Sequence, residues 1–200
     1  MENIGILGGT FDPFHLGHLS VLEAAVEEAC CDRIILLPAK VSPFKIERRI
    51  TEDIHRVAML SCVAKMYDNV EVSTIEIDGP EISYTYNTMK EIQRKKPPDK
   101  LHFIMGSDSL LTLESWYKGR ELLKEFSFIL APRPGYNYSE TKKTKMYLEK
   151  KYGTEIKVLN NKLRNISSTE IKDAIKCGKE INHLVPTEVA VYINEHRLYL

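Results

Sequence analysis

The sequence predicts an α/β fold in which a parallel sheet is covered by helices on both faces. Two observations favour this class. Short apolar runs typical of buried strands recur along the chain, and helical patterns separate them. Such alternation is typical of β–α–β units, whose strands lie parallel. Because these crossovers are right-handed, we expect a doubly wound, Rossmann-like sheet.

Each strand is predicted from a short run of apolar residues. The runs are NIGIL, RIILLPA, NVEVSTIEI, KLHFIMG, FSFILA and EIKVLN, at residues 3–7, 33–39, 69–77, 100–106, 126–131 and 155–160. Because both faces of a parallel sheet are buried, runs of this kind are typical of its strands.

Helices are predicted in the longer segments between these runs. They cover residues 16–30, 53–66, 84–95, 113–124 and 139–153. The third helix ends before the two prolines of RKKPPDK, because proline cannot continue a helix. The fifth is lysine-rich and amphipathic, which favours a solvated face over a binding patch.

We expect the 200 residues to form one domain, because a chain of this length can bury a full core. No internal repeat divides the sequence. Residues 167–200 are predicted to contain two helices split at HLVP and to pack as a small C-terminal helical cap.

Composition and charge argue against several classes of protein. Lys plus Arg and Asp plus Glu each number 28, and the zero net charge argues against a general nucleic-acid binder. No apolar stretch approaches membrane-spanning length, and no signal-peptide pattern is present, so we expect no membrane partner. Cys30, Cys31, Cys62 and Cys177 form no C-x-x-C pair, which favours reduced thiols in a cytoplasmic protein. A homodimer is left open.

The segment GGTFDPFHLGH, residues 8–18, follows the first strand and predicts an anion site. Gly8 and Gly9 allow backbone N–H groups to approach a ligand closely. The N-terminus of the next helix adds free N–H groups and a positive dipole, which suit phosphate. His15 and His18 share one face of the helix start, where each can donate to a phosphate oxygen. The alternative is that one histidine caps the helix and the other is an ordinary surface residue.

Two later segments also lie where loops meet predicted helices. In ISSTEIK, the hydroxyls of Ser167, Ser168 and Thr169 precede a helical pattern, and Lys172 lies one turn further on. Such a helix start can hold the β and γ phosphates of ATP, or it is simply a capped helix. In GSDSL, the side chain of Asp108 can accept from ribose hydroxyls, cap the helix, or do both.

Together these motifs resemble those of a known family. GGTFDPFHLGH is similar to the HxGH motif of the nucleotidylyltransferase superfamily, and FDP after GGT to that of its bacterial nicotinate mononucleotide adenylyltransferases. Five later segments resemble further motifs of that family in the same order. They are FIMGSDSL, SWYKGREL, APRPGY, ISSTEIK and LVPTEVAVYI. The resemblance spans nearly the whole chain.

The resemblance implies transfer of AMP from ATP to nicotinate mononucleotide, giving deamido-NAD and pyrophosphate. It implies that His15 and His18 stabilise the α-phosphate and that Lys45 helps to place the reacting phosphates. The residues it implies for ATP are Gly8, Gly9, Thr10, Phe11, Gly106, Asp108, Ile166, Ser167, Ser168, Thr169 and Lys172. Mg²⁺ would bridge the β and γ oxygens, held by phosphates and water more than by protein.

The acceptor site is predicted from two segments. SYT, residues 83–85, opens a predicted helix whose N–H groups could bind a carboxylate. Trp116, the only tryptophan, could stack on a cationic pyridinium ring, which is worth about 0.5–2 kcal/mol. The alternative is core packing of Trp116 with Leu113 and Leu122. The acceptor residues implied by the resemblance are Tyr84, Thr85, Trp116, Tyr117 and Arg133.

The chain departs from the family pattern at three positions. Phe44 stands where a histidine is expected beside Lys45, Asn87 where an aspartate is usual, and Lys172 where an arginine is usual. The implied function has two alternatives, the second of which is favoured by Phe44 and Asn87. One is an adenylyltransferase for nicotinamide mononucleotide or another phosphate acceptor, and the other is a nucleotide sensor that binds ATP without releasing pyrophosphate.

Overall fold

Six parallel strands form one sheet in the order β3-β2-β1-β4-β5-β6. The structure is a computed structural model, which describes residues 2–29, 31–40, 50–80, 82–95, 100–132, 138–160 and 163–200. The strands are Asn3–Gly9 (β1), Arg33–Pro38 (β2), Val70–Val72 (β3), Lys100–Gly106 (β4), Ser127–Ala131 (β5) and Ile156–Val158 (β6). This order confirms the predicted doubly wound, Rossmann-like sheet.

Helices connect successive strands and follow the last one. They are Leu16–Ala29 (α1), Asp53–Ala64 (α2), Thr85–Lys95 (α3), Ser107–Thr112 (α4), Gly119–Glu125 (α5), Tyr138–Tyr152 (α6), Ser168–Lys176 (α7) and Thr187–Glu195 (α8). A short 3-10 helix, Leu113–Ser115, separates α4 from α5. The two helices predicted after residue 167 are thus present as α7 and α8.

The third strand is shorter than its sequence predicts. The apolar run at 69–77 suggests a long strand, but only Val70–Val72 pairs with β2. The hydroxyl of Thr74 donates to Asp78 Oδ2 at 2.7 Å, and the N–H of Asp78 donates to the Thr74 carbonyl at 2.8 Å. These local hydrogen bonds close a turn and so compete with the sheet ladder.

Apolar side chains fill both faces of the sheet. Along β2, Ile34 and Leu36 lie in one apolar cluster, whereas Ile35 and Leu37 lie in the other. The alternation follows from the two-residue period of a strand and confirms that helices cover both faces. Side chains from α1, α2, α7 and α8 share the first cluster.

The strand order reverses between β1 and β4, which are neighbours at the centre of the sheet. The connections leave these strands toward opposite faces, which opens a crevice at their carboxyl ends. Within the described ranges, no helix has both the length and the apolar character needed to cross a membrane.

Candidate active site

A cavity of about 480 Å³ lies at the carboxyl ends of the central strands. Its volume falls within the range typical of small-molecule sites. Most residues predicted for catalysis, for ATP and for the acceptor line it together, although they come from distant segments. They are Gly8, Gly9, Thr10, Phe11, His15, His18, Tyr84, Thr85, Gly106, Asp108, Trp116, Tyr117, Ile166, Ser167 and Ser168.

The two predicted catalytic histidines form a stacked pair in this cavity. Their ring centroids are 3.6 Å apart, with 17° between the ring planes. The backbone N–H of His15 donates to His18 Nδ1 at 3.3 Å, and that of His18 donates to His15 Nδ1 at 3.2 Å. Because each Nδ1 accepts a hydrogen bond, the proton of each neutral ring is on Nε2. Both Nε2 atoms are therefore hydrogen-bond donors.

Aromatic packing fixes the orientation of this pair. The ring of His18 lies 5.0 Å from the Phe11 ring and 5.3 Å from the Phe14 ring, centroid to centroid. Phe11 and Phe14 are both buried, and Phe11 has a left-handed backbone with φ of 49°. This conformation is uncommon outside glycine, so tight packing must maintain it.

Gly17 is required by close packing around His15. A Cβ atom at this position would lie 2.9 Å from His15 Nδ1 and 3.0 Å from the Arg164 carbonyl oxygen. Real Cβ atoms rarely approach other atoms so closely, and the Arg164 carbonyl belongs to the backbone. Gly17 therefore allows His15 Nδ1 to accept a hydrogen bond from the backbone while the backbone at Arg164 packs against Gly17.

A buried arginine holds the loop that follows β1. The side chain of Arg56, on α2, is fully buried. It donates to the carbonyls of Thr10 at 2.8 Å, Ala39 at 2.7 Å and Thr51 at 3.1 Å, and it pairs with Asp53. Arg56 thus ties the loops after β1 and β2 to the start of α2. Arg56 was not predicted from the sequence, because no local pattern marks a buried arginine.

The loop also contains Asp12, a buried carboxylate. Its oxygens accept from Lys172 Nζ at 2.5 Å, Tyr199 Oη at 2.8 Å and the Thr51 backbone N–H at 3.3 Å. Burial raises the pKa of Asp12, but these hydrogen bonds outweigh burial, so the net pKa lies below the ordinary 3.8. Asp12 is therefore ionised at neutral pH.

Two residues predicted to bind ATP phosphates are not among the residues lining the cavity. They are Thr169 and Lys172, both on α7. The ammonium of Lys172 pairs with Asp12, so it is not available to a phosphate unless that ion pair breaks. Ser167 does line the cavity, and it also caps α7 by accepting from the Glu170 N–H at 3.2 Å.

The predicted acceptor wall is formed by aromatic side chains. The rings of Tyr84 and Tyr117 are 4.5 Å apart, centroid to centroid. Trp116 packs edge-on against Phe103, and its Nε1 donates to Thr112 Oγ1 at 3.1 Å. Trp116 therefore packs against the core and lines the cavity at once, so core packing is compatible with the predicted contact to the acceptor.

Further cavity residues were missed in the sequence. Glu76 lines the cavity and accepts from the Thr88 hydroxyl at 2.7 Å. Burial raises the pKa of Glu76 despite this hydrogen bond. Arg164 and Asn165 also line the cavity, and their position directly before the ISST segment could have indicated them.

Some predicted residues lie outside the described ranges, and the described residues offer no cage of protein ligands for a metal ion. Lys45, Phe44 and Arg133 lie outside the described ranges. In the part of the chain that the structure describes, no group of three or more His, Cys, Asp or Glu side chains could hold a metal ion. The carboxyl groups of Asp108 and Glu76 are the acidic ones among the residues lining the cavity.

Comparisons with known proteins agree with this geometry. The cytidylyltransferase-like family model matches residues 6–174. A Carboxydothermus hydrogenoformans protein, named a probable nicotinate-nucleotide adenylyltransferase, is 39% identical over 98% of this chain and 97% of its own.

Two structures of Plasmodium falciparum nicotinic acid mononucleotide adenylyltransferase have the same fold. The one complexed with APC is 23% identical with a TM-score of 0.80, covering 100% of this chain and 98% of that chain. The one complexed with NaAD is 22% identical with a TM-score of 0.79, at the same coverage. The chain therefore belongs to the cytidylyltransferase-like family and, within it, to the nicotinate-nucleotide adenylyltransferases.

Proposed function

We propose that the protein transfers AMP from ATP to nicotinate mononucleotide, releasing pyrophosphate and forming deamido-NAD for NAD biosynthesis. The observation that carries this proposal is the His15–His18 pair, in which each Nδ1 accepts from the backbone and both residues line a cavity at the point where the strand order reverses. The relative that is 39% identical over nearly the whole chain bears the name of this activity.

In the proposed reaction, an oxygen of the acceptor's 5′-phosphate attacks the α-phosphorus of ATP in line. The bond from the α-phosphorus to the bridging oxygen breaks, and pyrophosphate leaves with that electron pair. Negative charge on the α-phosphate oxygens is stabilised by Nε2–H of His15 and His18. No side chain forms a covalent intermediate, so the protein contributes positioning and fixed donors.

ATP is proposed to lie between the loop after β1 and the start of α7. Gly8 and Gly9 allow close approach of the backbone, and Asp108 can accept from the ribose hydroxyls. The N-terminus of α7, with Ser167 and Ser168, is proposed to hold the terminal phosphates, because both serines line the cavity at a helix start. Lys172 has no direct role in this scheme, because it pairs with Asp12.

The acceptor is proposed to bind against the tyrosine and tryptophan wall. Thr85 begins α3, where backbone N–H groups without intrahelical partners can hold the nicotinate carboxylate. Trp116 can stack on the pyridinium ring. An amide would present its own N–H groups to those donors, so the site favours nicotinate over nicotinamide.

We also propose Mg²⁺ as the metal cofactor. Within the described ranges, the cavity offers two carboxyl groups but no cage of three protein ligands, which suits a cation that arrives on the triphosphate. When bound, the cation would neutralise charge on the β and γ phosphates.

We further propose one cytoplasmic domain in which residues 167–200 form a helical cap. Ile171 of α7 and Val189 of α8 are buried in the cluster shared with α1 and α2, which supports a continuous core. Cys31, Cys62 and Cys177 are free thiols, as suits a reducing compartment.

The test is whether the protein forms deamido-NAD from Mg-ATP and nicotinate mononucleotide. Chromatography detects deamido-NAD, and a coupled assay detects pyrophosphate. We expect both products in equal amounts and much slower turnover with nicotinamide mononucleotide. ATP binding without pyrophosphate release would favour the nucleotide sensor. Equal turnover with acid and amide would contradict the proposed carboxylate site.

A further inference from the structure

Asp12 is a buried acidic residue in the loop that is proposed to bind the ATP phosphates. It follows Phe11 and precedes His15 by three residues, and both of these line the cavity. Only 5% of Asp12 is exposed. A buried carboxylate without partners would be strongly unfavourable and would repel the anionic substrate. The loop is therefore compatible with ATP only if the negative charge of Asp12 is neutralised by neighbouring groups.

Two side chains from distant parts of the chain provide that neutralisation. Lys172 Nζ donates to Asp12 Oδ2 at 2.5 Å, and Tyr199 Oη donates to Oδ1 at 2.8 Å. The ammonium of Lys172 also lies 5.1 Å from the centroid of the Tyr199 ring. The three groups thus contact one another, and Asp12 has a donor on each oxygen.

The backbone after α8 adopts an unusual path that brings Tyr199 to this position. Arg197 has a φ of 48° and Tyr199 a φ of 68°, both in the left-handed region. Such conformations are unfavourable for residues other than glycine, and contacts elsewhere must offset them. Burial and then the charge of Asp12 raise the pKa of Tyr199, so its hydroxyl stays protonated and donates.

We propose that Tyr199 and Lys172 are positioning residues for the transfer reaction, acting together through Asp12 on the loop that leads to His15. This inference rests on the proposed AMP transfer. It assigns Lys172 to the loop rather than to the ATP contact that the sequence resemblance implies for it. In this proposal, the segment after α8 supports the reaction through Asp12 and does not contact the substrate.

The first test removes one hydroxyl. In Tyr199→Phe the ring and its contact with Lys172 remain, but Asp12 Oδ1 loses its donor. We expect kcat to fall about tenfold, with KM for ATP changed less than about twofold, because the loop is misplaced while the binding groups remain. The matched control is Tyr67→Phe, which removes an exposed hydroxyl that donates to Glu23 at 3.1 Å. That variant should retain wild-type kinetics.

Thermal unfolding of both variants is measured alongside, so that kcat is compared between folded proteins. An unchanged kcat in folded Tyr199→Phe would overturn the inference. Failure of the wild type and of Tyr67→Phe to form deamido-NAD would instead overturn the proposed function.

The second test asks whether Tyr199 and Lys172 act through the same carboxylate. We expect Lys172→Met to lower kcat, Lys172→Arg to restore most of it, and Lys172→Met with Tyr199→Phe to be little worse than Lys172→Met alone. If Lys172 binds phosphate instead, Lys172→Met raises KM for ATP and the two effects multiply. That pattern would contradict the proposal.

Discussion

The backbone N–H of His15 donates to Nδ1 of His18 at 3.3 Å, and the backbone N–H of His18 donates to Nδ1 of His15 at 3.2 Å. Each ring is therefore held by the backbone of the other residue. The HLGH spacing does more than place two rings on one face, because it also selects the tautomer that donates from Nε2. The geometry thus links a four-residue pattern to the proposed stabilisation of a phosphate.

The tautomer predicts a difference between two substitutions of His18. Gln can present an amide N–H near the original Nε2 position, whereas the shorter Asn side chain reaches only as far as Nδ1. We expect His18→Asn to lower kcat about 10²- to 10³-fold and His18→Gln to retain measurably more activity. Steady-state kinetics with nicotinate mononucleotide checks this, with circular dichroism confirming the fold. Equal activity of the two variants would argue against donation from Nε2.

Trp116 should report directly on the acceptor, because it is the only tryptophan in the chain. Stacking on the pyridinium ring predicts that nicotinate mononucleotide quenches its fluorescence in a saturable way. Trp116→Ala should raise KM for the acceptor about 3- to 30-fold, with KM for ATP much less affected. Trp116→Phe keeps an aromatic face and should lie between these values. A change confined to KM for ATP would show that the acceptor site is misplaced.

Arg56 is predicted to be essential for stability despite its charge. Its removal would leave the carbonyls of Thr10, Ala39 and Thr51 without their donor. We expect Arg56→Met to lower the free energy of unfolding by about 3 kcal/mol. Arg94→Met is the control, because Arg94 is exposed and pairs with Glu91 on the surface, an arrangement worth less than about 1 kcal/mol. Urea denaturation measures the free energy of unfolding of both variants. Similar small losses of stability in the two variants would contradict the role of Arg56.

Asp12 predicts a pH dependence of stability with a definite sign. Its folded-state pKa lies below the ordinary 3.8, so its ionisation stabilises the fold. That contribution is fully present above the unfolded pKa and is lost as pH falls through the folded pKa. We therefore expect the stability difference between wild type and Asp12→Asn to be largest at neutral pH and to shrink below about pH 4.

The measurement for Asp12 is urea denaturation of both proteins from neutral pH to about pH 2.5. Carboxyl groups common to both proteins cancel in the comparison, which isolates Asp12 from Glu76 and others. A difference that is constant over this range would show that the ionised Asp12 contributes no stability of this kind.

The fold was predictable because its signals are local. β1, β2 and β4 contain continuous apolar runs, and the two-sided burial of Ile34 to Leu37 explains why those runs do not alternate. The third strand was overpredicted because Thr74 and Asp78 form a turn with their own hydrogen bonds, which an apolar pattern cannot reveal.

The candidate site was predictable where its residues belong to motifs at strand ends. His15, Asp108 and Trp116 all line the cavity as expected. The contacts that Lys172 and Arg56 make across the fold could not be predicted, because these partners are distant in sequence: Asp12 lies 160 residues from Lys172, and Thr10 lies 46 residues from Arg56. Only the folded chain shows which distant groups each cation contacts.

The most direct test of the account is the tautomer of the histidine pair. Long-range proton–nitrogen NMR spectra of the protein with isotope-labelled histidine distinguish a proton on Nε2 from one on Nδ1. Signals of His15 and His18 are assigned by their loss in His15→Gln and His18→Gln. We predict that both rings, when neutral, carry the proton on Nε2. A proton on Nδ1 of either ring would contradict the reciprocal hydrogen bonds and remove that ring as the proposed phosphate donor.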